Sequence, residues 1–234
     1  MTATPWILTR EMFLDEQELE RLLTALEKAC SHGSKEEKDS ALLDFLIVAG
    51  LALSGLRNSE FCGLTLGDVD LSTRRPTFQV AGTRTEDRTV SIPRFLVPIL
   101  KQYIAGLRQR SLPEGVDAKD SVQPLILTER RRPFDRTTLY RRVVKILSAQ
   151  GLGDRASVQL LRHTYGYLAY KRSGGNLLFV QRQLGHAHPM VTAIYEQFVS
   201  HDYAALADRV SADLVPRGLE GQQQSHKELQ KRSP

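Results

Sequence analysis

Thr77-Phe78-Gln79-Val80 and Arg88-Thr89-Val90-Ser91-Ile92 are the two stretches in which the hydrophobic period of this chain falls to two. Alternating side chains send one face of a pleated strand inward and the other to solvent. Gly82 to Asp87 supplies the turn between them. Pro93, with no N–H for a ladder, ends the pair. One antiparallel hairpin is therefore expected early in the chain. On either side of it the period is helical.

Asp15 and Glu18 form a capping-box pattern ahead of Leu19, Leu22, Leu23 and Leu26, which predicts a helix over residues 15–30. Ser34 and Glu37 repeat the signal for a second helix to about residue 53, where Ser54-Gly55 breaks it. A short helix over 58–64 precedes the hairpin. After it come a helix to about residue 110, a loop over 111–124, and a short apolar run, Leu125 to Leu127, read as a buried strand. Asp135 caps a helix to about residue 150. Further helices are expected over 159–172, 176–184 and 191–198. A last amphipathic helix over 200–214 would carry Tyr203, Leu206, Val210 and Leu214 as its apolar stripe. The fold class expected is α+β, predominantly α-helical, with one small antiparallel β-sheet. The polar segment after Pro216 reads as a disordered tail.

The 234 residues fit one large domain or two small ones, and a 41% hydrophobic content supports a sizeable core. No apolar run reaches the roughly 18–20 residues of a membrane span. The longest, residues 41–53, is interrupted by Asp44 and reads as a buried helix. The N-terminus lacks a secretion pattern. Cys30 and Cys62 have no CxxC spacing, so a reducing cytoplasm is the expected compartment. The net charge of +5 and pI near 9.3 are a mild bias toward polyanions. Arg130, Arg131, Arg132, Arg136, Arg141, Arg142 and Lys145 crowd into one segment. By itself that is a solvated helix face or a surface for a polyanion.

Four short stretches contain the residue types of phosphate chemistry. In Ser54-Gly55-Leu56-Arg57-Asn58-Ser59-Glu60 a glycine break places Arg57 at the mouth of a helix, and an arginine offers phosphate a planar fork of donors. Glu60 is placed to orient that guanidinium or to cap the helix. In Gln159-Leu160-Leu161-Arg162-His163-Thr164, Gln159 shares a helix face with Arg162 and His163. Leu184-Gly185-His186 puts a histidine just past a helix stop. Thr192-Ala193-Ile194-Tyr195 puts a tyrosine in a short helix nine residues later. Taken singly, each stretch is ordinary: a surface ion pair, an amphipathic helix, a satisfied histidine, a packing tyrosine.

In this order the boxes Gly55-Leu56-Arg57-Asn58-Ser59-Glu60, Leu161-Arg162-His163-Thr164, Leu184-Gly185-His186 and Ile194-Tyr195 strongly resemble those of the tyrosine recombinase (phage integrase) family. The resemblance runs from about Leu14 to Ala212. It implies the catalytic-domain fold of that family and site-specific DNA recombination, by strand cleavage and rejoining through a 3′-phosphotyrosine. Tyr195 would be the nucleophile. Arg57, Arg162 and His186 would hold the phosphate where charge builds in the transition state, with Glu60 in support. No metal or nucleotide cofactor is implied. The implied partner is double-stranded DNA, bound by a homotetramer in the cytoplasm at the nucleoid, with an accessory DNA-binding protein as a further candidate. Arg131, Arg132, Arg136, Arg141, Arg142 and Lys145 would lie along the DNA backbone. Residues 1–13 would be a lead, 14–215 the catalytic domain and 216–234 a tail. No N-terminal DNA-clamping domain would precede it, as in the short fimbrial-switch recombinases.

Two positions depart from the family pattern. The turn between the strands, where the family keeps a lysine as general acid, reads Gly82-Thr83-Arg84-Thr85. Arg84 is the nearest cation there, but a guanidinium with a pKa above about 12 is a poor acid at neutral pH. Gln159 stands where a histidine usually precedes the second arginine. His163, one turn on, is the candidate to take over its proton handling. These departures leave an alternative: a catalytically weakened recombinase-fold protein that binds DNA as a regulator or accessory factor.

Overall fold

A helix whose C-terminal half is apolar on every face organises the molecule. α2 (Lys35–Ser54) buries Leu46, Ile47, Val48, Ala49, Leu51 and Ala52 together, the pattern of a helix inside a core rather than on a surface. Each of the buried Leu, Ile and Val side chains contributes about 1.5–3 kcal/mol. Around it pack α1 (Glu16–Ala29), α4 (Leu96–Tyr103), α5 (Arg136–Ala149) and α6 (Val158–Arg172). The computed structural model describes residues 7–72, 74–82, 87–110 and 120–200, together with 202, 204, 205, 207 and 209. Met1–Phe198 is one compact unit and Val199–Pro234 a second.

Both predicted capping boxes form. Asp15 accepts from the Glu18 backbone at 2.8 Å and Ser34 from that of Glu37 at 3.2 Å, while each glutamate reaches back to its cap residue. Asp135 caps α5 through the Thr137 and Thr138 amides. Asp44, which interrupts the apolar run of α2, points at α5 and pairs with Arg142 at 2.5 Å. Among the described residues no helix is long and apolar enough to cross a membrane.

The sheet holds three antiparallel strands in the order β1 (Val69–Asp70), β2 (Thr77–Val80), β3 (Arg88–Ser91). Phe78 pairs with Val69 on one side and Val90 on the other, and Phe78 and Val90 are both buried. The hairpin is as the period-two pattern predicts. β1 was not predicted, because two residues carry no periodicity. α3 (Asn58–Gly63) is held to α2 by a close approach. A Cβ on Gly50 would fall 2.8 Å from the Phe61 ring, so a glycine that costs a helix interior about 1 kcal/mol gives that ring its seat.

Three expectations need correction. Leu125 to Leu127 is buried but makes no strand, only isolated bridges at Thr65–Pro124 and Leu127–Pro133. Two prolines without N–H groups stop any ladder there. The helix after Pro93 starts at Leu96 and widens into a π-helical turn over Ile104–Arg108. The helix expected over 191–198 is two pieces, α8 (Met190–Ala193) and a 3₁₀ turn, Glu196–Phe198. Tyr195 lies in the turn between them, where its side chain is drawn inward. Of the helix expected over 200–214, residues 204, 205, 207 and 209 are helical. Tyr203, Leu206, Val210 and Leu214 lie outside the described residues.

Candidate active site

Two helices end side by side in left-handed glycines, α2 at Gly55 (φ +66°) and α7 (Leu177–Leu184) at Gly185 (φ +63°). A helix C-terminus leaves carbonyls without intrahelical partners. Here arginines take them. Arg162, on α6, donates from Nη1 to Gly55 O at 2.5 Å and from Nη2 to Leu184 O at 2.8 Å. Arg57, at the N-terminus of α3, donates from Nη2 to Gly185 O at 3.0 Å. The two glycines of the sequence boxes thus position the two arginines. The partial negative charge of two helix ends steadies the guanidiniums without neutralising them.

Glu60 organises the rest. It accepts from the Arg57 amide and from Arg57 Nη1, each at 2.7 Å, and from both terminal nitrogens of Arg88 at 2.9 and 2.8 Å. Against the upward push of burial, these bonds hold its carboxyl down at about 2. Arg88, on β3, also donates from Nε to Gln183 O at 3.2 Å, which ties the sheet to α7. A Cβ on Gly185 would fall 2.8 Å from the Arg88 guanidinium. Three guanidiniums, those of Arg57, Arg88 and Arg162, therefore surround one carboxylate. Burial and then the nearby Arg57 charge push Arg162 down to about 10, still protonated at neutral pH. A buried cation with no carboxylate of its own is costly, and an anion entering this site would relieve that cost.

The histidines beside the arginines are neutral. Burial and then the Arg162 charge push His163 down to about 4. Burial and then Arg162 and Arg57 push His186 down to about 3. His186 Nδ1 lies 2.9 Å from Oγ1 of the fully buried Thr192. His163 Nδ1 lies 3.1 Å from Tyr195 Oη, and its Nε2 lies 2.9 Å from the Gln159 amide nitrogen. Tyr195 is 1% exposed. Burial, opposed by Arg162, raises its phenol to about 12. Its ring rests on α6 at Gly166, where an added Cβ would fall 2.2 Å from Cζ.

A cleft of about 580 Å³ joins these groups, lined by Arg57, Gln159, Arg162, His163, His186 and Tyr195. Six sequence candidates thus meet in one place, and Glu60 stands behind them. Arg84 lies outside the described residues. A larger groove of about 730 Å³, lined by Leu23, Phe45, Phe95, Ile99, Leu168 and Phe179 among others, contains none of them.

The basic segment divides. Arg136 and the exposed Tyr140 line the cleft. Arg141 and Lys145 are exposed on α5, and Arg131 and Arg132 on a tight turn before it. Among the described residues Arg131 is the non-glycine residue with positive φ (61°), in a turn position that usually takes glycine. Arg142, on the same helix, is half-buried. It pairs with Asp44 and Glu129 and bonds Ser40, so its charge is spent inside the domain.

Sequence reasoning missed Arg88, Thr192 and Gly166. Arg88 was readable, since two residues before Val90 it shares the inward face of the strand. Gly166 carried the weaker signal of a glycine inside a helix, one turn past Arg162. Thr192 carried none.

Residues 12–200 match the phage integrase family. Tyrosine recombinase XerC of Halalkalibacterium halodurans is 32% identical over 183 residues, covering 78% of this chain and 56% of that protein. Tyrosine recombinase XerH of Campylobacter jejuni is 26% identical over 203 residues, covering 86% of this chain and 52% of the relative. The chain therefore spans about half the length of these curated relatives. Among solved structures, XerA recombinase aligns with a TM-score of 0.60 at 26% identity over 92% of this chain and 68% of that one. The XerH site-specific recombinase in a pre-cleavage complex with difH substrate aligns at 0.66 and 23% identity, over 90% of this chain and 56% of that one. With a family match that spans most of the chain and includes the carbonyl-anchored arginines, His163, His186 and Tyr195, this protein belongs to the phage integrase family.

Proposed function

We propose that this chain carries out site-specific DNA recombination, breaking and rejoining strands through a 3′-phosphotyrosine at Tyr195. The observation behind the reading is the cleft in which Arg57, Arg162 and His186 adjoin Tyr195. Tyr195 Oη forms a bond to phosphorus while the bond from phosphorus to O5′ breaks. The phenol proton is lost and the departing 5′-oxygen gains one. A 5′-hydroxyl from another strand then reverses the step, so the phosphotyrosine conserves the bond and no cofactor is consumed. Arg57 and Arg162 grip the non-bridging oxygens. His186, its Nδ1 2.9 Å from Thr192 Oγ1, is a further donor to the phosphate. Duplex DNA lies along Arg131, Arg132, Arg136, Arg141 and Lys145 through salt-dependent backbone contacts. The working assembly is a homotetramer on DNA in the cytoplasm, at the nucleoid.

The test is a pool of nicked duplexes with randomised flanks, each carrying a 5′-bridging phosphorothiolate. Sulfur leaves without an acid, so the substrate is indifferent to the missing lysine. A covalent adduct from the wild type, absent from Tyr195→Phe, is expected. No adduct from any member of the pool would favour a protein that binds DNA without cutting it.

A further inference from the structure

Resting on the recombinase reading, the arrangement around Tyr195 goes further. Two contacts in series, Gln159 Nε2 to His163 Nε2 at 2.9 Å and His163 Nδ1 to Tyr195 Oη at 3.1 Å, run from the cleft to the phenol. An amide nitrogen is a donor only, so the imidazole nitrogen facing it accepts. In a neutral ring the other nitrogen then carries the hydrogen. We infer that Gln159 is a positioning residue that fixes His163 as the Nδ1–H tautomer, and that His163 serves the nucleophile as a neutral hydrogen-bond donor to the phenolate rather than as the base that removes its proton.

This reverses the role the sequence suggested for His163, and the magnitudes agree with the geometry. Among the described residues, the charged and titratable groups facing His163 include Arg162 on its own helix, His186 beyond α7 and Tyr195 beyond α8, with Arg57 and Arg136 lining the same cleft. Burial and the Arg162 charge leave the imidazole at about 4, while burial leaves the phenol at about 12. Proton transfer between them faces a ~10⁸-fold equilibrium disadvantage. A donor suffers no such handicap. It strengthens as charge builds on the phenol oxygen, and it assists again on rejoining, when the phenolate leaves phosphorus. The phenol proton passes to hydroxide, giving water. The phenolate then forms the bond from Oη to phosphorus as the bond from phosphorus to the 5′ atom breaks. Gln159 is exposed at the helix start, with its backbone in the first turn of α6, so replacing it leaves the core intact.

The experiment compares wild type, His163→Ala and His163→Asn on the phosphorothiolate pool, where adduct formation reports nucleophile activation without the leaving-group acid. Asparagine places an N–H near the former Nδ1 but cannot act as a base. His163→Ala should slow adduct formation by roughly 100-fold, the usual loss for one such donor, and His163→Asn should recover to within about 10-fold of wild type. The wild-type rate should climb close to tenfold per pH unit from pH 6 to 9, with no plateau. In ring-¹⁵N-labelled protein without DNA, His163 should show a pyrrole-type Nδ1 and a pyridine-type Nε2. Gln159→Glu, which can only accept, should exchange the two. A His163→Asn protein as slow as His163→Ala, a rate flat above pH 5, or a pyridine-type Nδ1 in the wild type overturns the donor role. His163→Ala at the wild-type rate removes His163 from the reaction while leaving the recombinase reading intact. A wild type that forms no adduct removes both.

Discussion

Tyr195 seats its phenol against Gly166, one helical turn beyond Arg162, with no room for a methyl group between them. The glycine defines where the Tyr195 ring rests and holds it within reach of His163. Gly166→Ala gains helix propensity of about 1 kcal/mol but must displace the ring, an overpacking cost of about 1–3 kcal/mol. The expected result is a protein of similar or slightly lower stability in urea, with Tyr195 newly reactive toward a phenol-modifying reagent and adduct formation reduced. An unchanged tyrosine reactivity would show that the ring does not rest there.

Glu60 is the carboxylate shared by Arg57 and Arg88. Glu60→Gln leaves two cations facing a neutral amide and is expected to cost about 3–5 kcal/mol. Adding Arg88→Met should recover part of that loss, because Arg88 is 9% exposed and pairs chiefly with Glu60. Chemical denaturation of the single and double variants checks this. Additive losses would mean that the pair is not coupled.

The two cleft histidines make stability depend on pH. Their folded values, about 4 for His163 and about 3 for His186, lie below the ordinary 6.5. Below 6.5 the unfolded chain takes up protons that the folded one refuses, so stability is full above 6.5 and falls as pH drops toward 4. Two protons give a limit of about 2.7 kcal/mol per pH unit, and partial solvent exposure reduces this to roughly 1–2. Glu60, held near 2, adds its own loss only below its ordinary 4.5. Urea titrations between pH 5 and 7 therefore isolate the histidines, and a His163→Asn, His186→Gln protein should show most of that slope removed.

The basic face separates contact from structure. Arg136→Ala and Arg141→Ala should each reduce the salt slope of DNA binding by about 0.9 and change stability by less than about 0.5 kcal/mol. Arg142→Ala should leave the slope unchanged and cost about 3 kcal/mol, since it strands Asp44. Arg131→Gly should hold or raise stability by up to about 1 kcal/mol, relieving a left-handed arginine, while weakening binding. Binding isotherms across a salt series, paired with thermal melts, decide each case.

Much of this was legible from local rules. The capping boxes, the apolar C-terminal half of α2 and the hairpin follow from spacing, and the boxes around Arg57, Arg162, His186 and Tyr195 predicted one site. What escaped depends on contacts distant in sequence. β1 exists only through its pairing with Thr77 and Phe78 of β2. The inward turn of Arg142 depends on Asp44, almost a hundred residues earlier. The break at Tyr195 arises because its ring is drawn to Gly166, overriding the helical pattern of the flanking residues. The direction of the His163 hydrogen depends on which atom of Gln159 faces it, and no sequence pattern encodes that.

The most direct test of the central claim is proteolytic mapping of the covalent adduct from the phosphorothiolate pool. The expected product is one peptide bearing a 3′-phosphate ester of DNA on Tyr195, lost in Tyr195→Phe and strongly reduced in Arg162→Ala. An adduct on any other residue, or one that survives Tyr195→Phe, would contradict the assignment of the nucleophile and with it the reading of the cleft.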